Sequence, residues 1–157
     1  MNFEVIVPIV TLILGFFAAV ATEWFRESQR VKAELAARSS DFQRTTLLEL
    51  QRALHDLARS VSAIYHEELV NHRKSGKWAA IPISDEWDQK NQEANMLTAL
   101  LKVRVEDESV RTLVDKVRDA AAKSALAVSK EESESQYHHM MDRMDEANER
   151  IGELLRA

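Results

Sequence analysis

The five histidines are the side chains with the most chemical potential, and we first asked whether they form a metal site. They are His55, His66, His72, His138 and His139. A metal site of the carboxylate type inside a helical bundle needs Glu-x-x-His pairs that face inward from two helices. The residues three places before the histidines are Arg52, Ala63, Leu69, Ser135 and Gln136. None of them is a carboxylate, so the Glu-x-x-His pattern is absent. His138 has Glu134 and Asp142 at helical spacing, but in so charged a segment this pattern is typical of a solvated face.

Other catalytic signatures are missing from the sequence. The chain has no cysteine, which excludes thiolate metal sites and cysteine nucleophiles. It contains no glycine-rich phosphate loop, no nucleophile elbow and no H-E-x-x-H motif. The net charge is −5, with both signs interleaved and no basic stripe, which argues against nucleic-acid binding. We therefore expect a protein that is not an enzyme and has no metal, cofactor, nucleic acid or small-molecule substrate.

The most distinctive stretch lies at the N-terminus, where residues 5–21 carry no charge. As a helix this segment would be about 26 Å long at ~1.5 Å per residue, and Phe3, Trp24 and Phe25 extend it towards the ~30 Å thickness of a hydrocarbon core. We expect a single transmembrane anchor over residues 1–25. Two alternatives are a cleaved secretory signal ending at Ala19-Val20-Ala21, although Glu4 stands where such signals carry Lys or Arg, and a buried core helix.

The flanks of the apolar segment predict its orientation. Four cationic residues follow it and none precedes it, so the positive-inside rule places the C-terminal side in the cytoplasm. They are Arg26, Arg30, Lys32 and Arg38. We expect a plasma (inner) membrane protein with its N-terminus outside. Trp24, Phe25, Arg26 and Arg30 would anchor the inner boundary among the lipid headgroups.

A small-residue face inside the anchor predicts contact between transmembrane helices. Thr11, Gly15 and Ala19 recur every four residues, the spacing that lets two membrane helices approach closely. The same residues are also common in membrane helices that make no such contact. The prediction is a homo-oligomer or a hetero-complex with another membrane protein.

Everything after the anchor has the composition of an all-α domain. The chain contains only three glycines and two prolines, and it is rich in the residues that favour helices. Residues 26–44 are predicted to form a solvated helical stalk with a thin apolar seam, which suggests a weak coiled coil. We favour an unbroken helix here, although Ser40 followed by Gln43 resembles a capping box that could start a new helix.

Residues 45–157 predict an antiparallel four-helix bundle, because four apolar stripes at 3–4 spacing are joined by short turns. The first stripe contains Leu47, Leu50, Leu54, Leu57, Val61 and Ile64. The second, in a helix from Ser84 or Asp85 to about Val105, contains Trp87, Ala94, Leu97, Leu100 and Leu101. The third follows an acidic turn at 106–109 and contains Val110, Leu113, Val114, Val117, Ala121 and Val128. The fourth follows a polar turn at 129–135 and contains Tyr137, Met140, Met144, Ala147, Ile151 and Leu154.

One loop, residues 71–84, is unusually apolar. Trp78, Ile81, Pro82 and Ile83 lie in it, at the end of the bundle far from the membrane. Either these side chains cover the end of the bundle or they dock a partner protein.

The whole pattern resembles a broad group of small actinobacterial and actinophage membrane proteins. The resemblance is carried by LILGFFAAVATEWFRESQR, LLELQRALHDLARSV and VRVEDESVRTLVDKVRDA. It implies one N-terminal membrane helix, a charged helix after it and a helical bundle, and it brings no catalytic residues; this chain has fewer arginines and alanines than is usual in the group. We expect an anchored interaction or scaffold protein, an accessory subunit of a membrane complex. The alternative is a phage or prophage factor in lysis or superinfection exclusion.

Overall fold

All secondary-structure elements in the described part of the chain are helices, and it contains no strand. The structure, a computed structural model, describes the backbone of residues 3–79 and 81–156 and the side chains of residues 22–79 and 81–156. Within these ranges four helices occur in chain order. They are α1 (Phe3–Ser75), α2 (Asp85–Lys102), α3 (Glu108–Ala125) and α4 (Lys130–Arg156).

The chain divides into two compact units, an N-terminal unit of residues Met1–Phe42 and a bundle unit of residues Gln43–Ala157. Helix α1 continues through Ser40 without a break, so the expected continuity is confirmed. Ser40 and Gln43 do not start a new helix, because the Gln43 side chain makes its hydrogen bonds to the segment that follows α2. The Gln43 Nε2 donates to the carbonyl of Arg104 at 3.0 Å, and its Oε1 accepts from the backbone N–H of Glu106 at 3.2 Å.

The bundle unit is held together by one apolar core to which all four helices contribute. The predicted α1 stripe is buried throughout, as are the central residues of the α3 and α4 stripes. The fully buried members with the largest side chains include Leu50, Leu54, Val114, Met140 and Ile151. The 3–4 spacing of these residues therefore identified the core-facing surface of three helices.

Cross-helix contacts show that α1 is antiparallel to both of its neighbours. Against α2, Glu67 near the end of α1 accepts from Ser84 at the start of α2. Against α4, Gln51 lies 3.3 Å from Asn148, whereas Ser62 lies 3.1 Å from the Tyr137 hydroxyl. Since sequence numbers rise along one helix as they fall along the other, the up-down arrangement predicted for these pairs is confirmed.

Helix α3 pairs with α4 in the same antiparallel sense. Asp107, the N-cap of α3, contacts Arg150 near the end of α4 at 2.7 Å. At the opposite end, the Ser124 hydroxyl lies 3.2 Å from the carbonyl of Ser133.

Three predicted helix boundaries are wrong. Helix α1 runs to Ser75, beyond the predicted loop start at 71, and ends where Gly76 adopts φ +71° and donates to the carbonyl of His72, a common glycine C-terminus. Helix α2 ends at Lys102, not near Val105. Helix α4 begins at Lys130 inside the predicted turn, because the Ser129 hydroxyl accepts from the backbone N–H of Glu132 and so caps it.

The core stripe predicted for α2 is confirmed at Ala94 and Leu101, which are buried, and is wrong at Leu97 and Leu100. Leu97 and Leu100 are 48% and 51% exposed, whereas Thr98 is fully buried between Ala94 and Leu101. The Thr98 hydroxyl donates to the carbonyl of Ala94 at 2.8 Å. Because its hydrogen bond is satisfied within its own helix, a threonine can occupy this core position at little cost.

One predicted core residue of α3 lies at the surface. Val128 is 82% exposed, because α3 ends at Ala125, before the apolar spacing reaches it.

Candidate interaction surfaces

The predicted membrane contact of Thr11, Gly15 and Ala19 lies outside the residues whose side chains are described. Among residues 22–79 and 81–156, whose side chains are described, no helix has an apolar stretch long enough to cross a membrane. The anchor therefore stays a prediction from the sequence of residues 5–21.

The predicted interface residues are all accessible on α1. Trp24 is 75% exposed and Phe25 61% exposed, and Arg26 and Arg30 are exposed as well. These four residues fit a position at a lipid boundary, where aromatic rings lie at the level of the headgroups and cationic side chains lie on the cytoplasmic side.

The loop predicted to dock a partner turns out to be fastened to its own bundle. Trp78 is half-buried, and its ring lies 6.1 Å from the ring of Tyr65 and 5.8 Å from that of His72. Of the other predicted docking residues, Ile81 and Pro82 are exposed, whereas Ile83 is half-buried. The covering role is therefore favoured for Trp78, and docking stays a prediction for Ile81 and Pro82.

Two adjacent glutamates of α1 hold this loop in place. The buried carboxylate of Glu68 accepts from the backbone N–H of Ala79 at 3.2 Å, a residue with φ +50°. Glu67 accepts from the backbone N–H and the hydroxyl of Ser84 at 3.2 and 3.0 Å. Because the Ser84 hydroxyl is used in this way, it makes no side-chain bond to cap α2.

An aromatic cluster joins α1 and α4 beneath the loop. The rings of Tyr65 and Tyr137 are stacked, with centroids 5.0 Å apart and 9° between their planes. Burial raises the pKa of the Tyr65 hydroxyl, and the negative charge of Glu134 raises it further. Nearby, the buried Nδ1 atom of His72 has no hydrogen-bond partner among the described residues.

An open cleft of about 500 Å³ runs between α1 and α2. Its lining is contributed by both helices and combines charged groups with an apolar floor. The residues are Asp56, Arg59, Ser60, Trp87, Lys90, Glu93, Ala94 and Leu97. Cavities of this volume are in the range that small ligands and protruding side chains occupy.

Two polar side chains of the cleft, Ser60 and Lys90, already have partners within the protein. Ser60 Oγ lies 2.8 Å from the carbonyl of Leu57 and 3.1 Å from Asn91 Oδ1. Lys90 Nζ lies 4.5 Å from the centre of the Trp87 ring and 2.6 Å from Glu86. The hydrogen bond from Lys90 lowers the pKa of the Glu86 carboxyl. No histidine lies among the lining residues.

Beside the cleft, a row of four exposed apolar side chains lies along the C-terminal half of α2 and its C-cap, which sequence reasoning missed. The α2 strip consists of Met96, Leu97 and Leu100 of the helix and Val103, the C-cap that follows it, and all four side chains are exposed. Their spacing of three and four residues places them on one side of the helix. The signal is present in the sequence, since α2 carries two apolar stripes, but the spacing predicts that both leucines belong to the core.

Among the side chains that the structure describes, two ion pairs link helices across the charged surface: Lys102 of α2 contacts Asp115 of α3 at 2.7 Å, and Asp107 at the start of α3 contacts Arg150 of α4. Asp107 accepts from Arg150 at 2.7 Å and from the backbone N–H of Val110 at 2.9 Å. The hydrogen bond from Arg150 is the largest cause of the lowered pKa of Asp107, and this contact in turn raises the pKa of Arg150. Among the described residues, no group of three His, Asp or Glu side chains is arranged to hold a metal ion.

Comparisons with protein families, with curated proteins and with solved structures gave no match.

Proposed function

We propose that this protein is a single-pass, membrane-anchored helical interaction protein that serves as an accessory or scaffold subunit of a membrane complex. The observation that carries the proposal is the α2 strip. A bundle with a well-filled core leaves four apolar side chains exposed in one row, beside an open cleft. Contiguous apolar patches on protein surfaces are characteristic of interaction sites.

The anchor is supported by the sequence and by the accessible residues that follow it. Residues 5–21 are uncharged, and the exposed Trp24, Phe25, Arg26 and Arg30 come directly after them. Lipid would be the first partner of this segment. The proposed arrangement has the N-terminus outside and the bundle in the cytoplasm, in keeping with the resemblance to small actinobacterial and actinophage membrane proteins.

Copurification in mild detergent tests the proposal. We expect the full chain to retain a second membrane protein, and Leu100→Glu to lose it because a charge then lies in the middle of the α2 strip. Leu48→Glu is the matched control, since Leu48 is a similarly exposed leucine on α1. Equal retention by both variants, or recovery of the chain without any other membrane protein, would contradict the proposed role in a hetero-complex.

The alternative is a phage or prophage factor in lysis or superinfection exclusion. A lysis factor that places its bundle in the periplasm differs from the proposed scaffold in membrane topology, so the side of the membrane that the bundle faces separates the two. The chain has no cysteine, so a Val128→Cys variant offers a single exposed thiol. A membrane-impermeant maleimide should label it only after the cells are opened. Labelling in intact cells would exclude the cytoplasmic arrangement and favour a periplasmic role.

A further inference from the structure

Four of the five large apolar side chains that are exposed between residues 22 and 42 follow a heptad repeat, and Phe25 is the exception. The repeat alternates steps of four and three through Trp24, Ser28, Val31, Leu35, Arg38 and Phe42. Its four apolar members are all exposed on α1. In coiled-coil notation Ser28, Leu35 and Phe42 occupy a positions, and Trp24, Val31 and Arg38 occupy d positions. We propose that residues 24–42 form a parallel, two-stranded coiled coil with a second copy of this chain.

Charge complementarity points to a second copy in the parallel orientation. The g positions hold Glu27, Glu34 and Asp41, and the central e position holds Lys32. In a parallel pair each g residue faces the following e residue of the other helix, so Glu27 faces Lys32 of the partner subunit. In an antiparallel pair g faces g, and the acidic rows would repel each other.

The polar position near the end of the seam favours two strands over more. Arg38 contacts Glu34 at 2.7 Å on the same helix, with both side chains largely exposed. In a two-stranded seam a long side chain at a d position can keep its charged end in water, which a larger assembly would bury.

The polar position near the start of the seam is occupied by a small side chain. Ser28 is half-buried on α1, and a serine hydroxyl in a helix can donate to a carbonyl of the preceding turn. The seam can therefore accommodate Ser28 without leaving a buried donor unpaired, although a serine contributes less packing than an apolar residue at the same a position.

The length of the seam makes this inference depend on the proposed membrane anchor. The next two positions of the repeat are Thr45 and Glu49, so the apolar seam ends at Phe42 after about 28 Å at ~1.5 Å per residue. Coiled coils this short are marginal for free chains. Anchoring two copies in one membrane fixes their parallel orientation and raises their effective concentration.

Single-cysteine cross-linking of the full chain in native membranes tests the pairing. Oxidation should join Ser28→Cys to itself and Phe42→Cys to itself, with yields on the order of tenfold above the outward-facing Ala33→Cys control. The two seam positions lie about 21 Å apart along the helix. An antiparallel pair cannot cross-link at both of them, so cross-linking at only one, or equal yields at all three positions, would overturn the proposal.

A charge exchange tests the partner assignment without a thiol. Glu27→Lys should reduce the dimer fraction severalfold by placing lysines against each other, and adding Lys32→Glu should restore it. No rescue, or a mass in detergent above two copies, would contradict the pairing. Alkaline carbonate releases proteins that are not inserted in the membrane. If the chain stays in the membrane but its cysteines do not cross-link, the coiled coil alone is refuted. If carbonate releases the chain, the anchor is refuted.

Discussion

The contact between Asp107 and Arg150 gives the sharpest test of the bundle architecture, because the Asp107 carboxylate makes two contacts that different substitutions can separate. It caps α3 through the backbone N–H of Val110, and it ties α3 to α4 through Arg150. Asp107→Ala removes both contacts. Asp107→Asn keeps a good capping residue but removes the negative charge.

The magnitudes follow from the exposure of the pair. Loss of an N-cap costs about 1 kcal/mol. The side chains of Arg150 and Asp107 are 37% and 20% exposed, so solvent screens the ion pair and its loss adds about 0.5–1 kcal/mol. We expect Asp107→Ala to lower the free energy of unfolding by about 1.5–2 kcal/mol, and Asp107→Asn by about 0.5–1 kcal/mol.

Urea unfolding of the full chain in mild detergent, followed by circular dichroism, measures these differences. The pKa of Asp107 is lowered in the folded protein, so its stabilisation is present above the unfolded pKa of about 3.9 and is lost as pH falls through the folded pKa. The advantage of the wild-type chain over Asp107→Asn should therefore shrink below about pH 4. Equal destabilisation by Ala and Asn, or a difference that persists in acid, would refute this account of the contact.

Three further substitutions separate core, turn and surface. Leu54→Ala, at a fully buried position, should lower the free energy of unfolding by about 2–5 kcal/mol. Leu100→Ala on the α2 strip should change it by less than about 0.5 kcal/mol. If the two variants shift the urea midpoint by comparable amounts, the assignment of Leu100 to the exposed face of α2 is wrong. Gly76→Ala should cost about 1 kcal/mol because φ is +71° there, and a thermal-melting midpoint unchanged from wild type would argue against this helix end. Trp78→Ala should speed amide hydrogen exchange at Ala79 by loosening the loop, and unchanged exchange would show that the Trp78 contacts do not hold it.

The sequence predicted most of the bundle because its strongest signals are periodic. The α1 stripe around Leu50 and Leu54 has one apolar face and no competitor, so spacing alone identified the buried surface. Helix α2 has two competing stripes. Packing selected the one containing Ala94 and Thr98, whose small side chains fit the core and whose hydroxyl is satisfied locally.

The candidate surfaces were harder to predict because they depend on contacts between distant segments. Nothing local indicated that Glu68 would hold the backbone of Ala79. Packing of the loop against its own bundle was one of two expectations from its apolar composition, and the contacts of Trp78 with two aromatic side chains of α1 favour it. The α2 strip became apparent only once the core face of α2 was known. In contrast, the exposure of Trp24 follows from its position in a charged segment with few apolar neighbours.

Membrane partition of the full chain is the most direct test of the central claim. Membranes from expressing cells would be washed with alkaline carbonate, and the chain would be followed in pellet and supernatant beside a variant carrying Leu12→Arg and Phe16→Arg. We predict that the wild-type chain stays in the pellet and that the variant is released, because charged residues in the middle of a span oppose insertion. Release of the wild-type chain by carbonate would contradict the membrane anchor on which the proposed function rests.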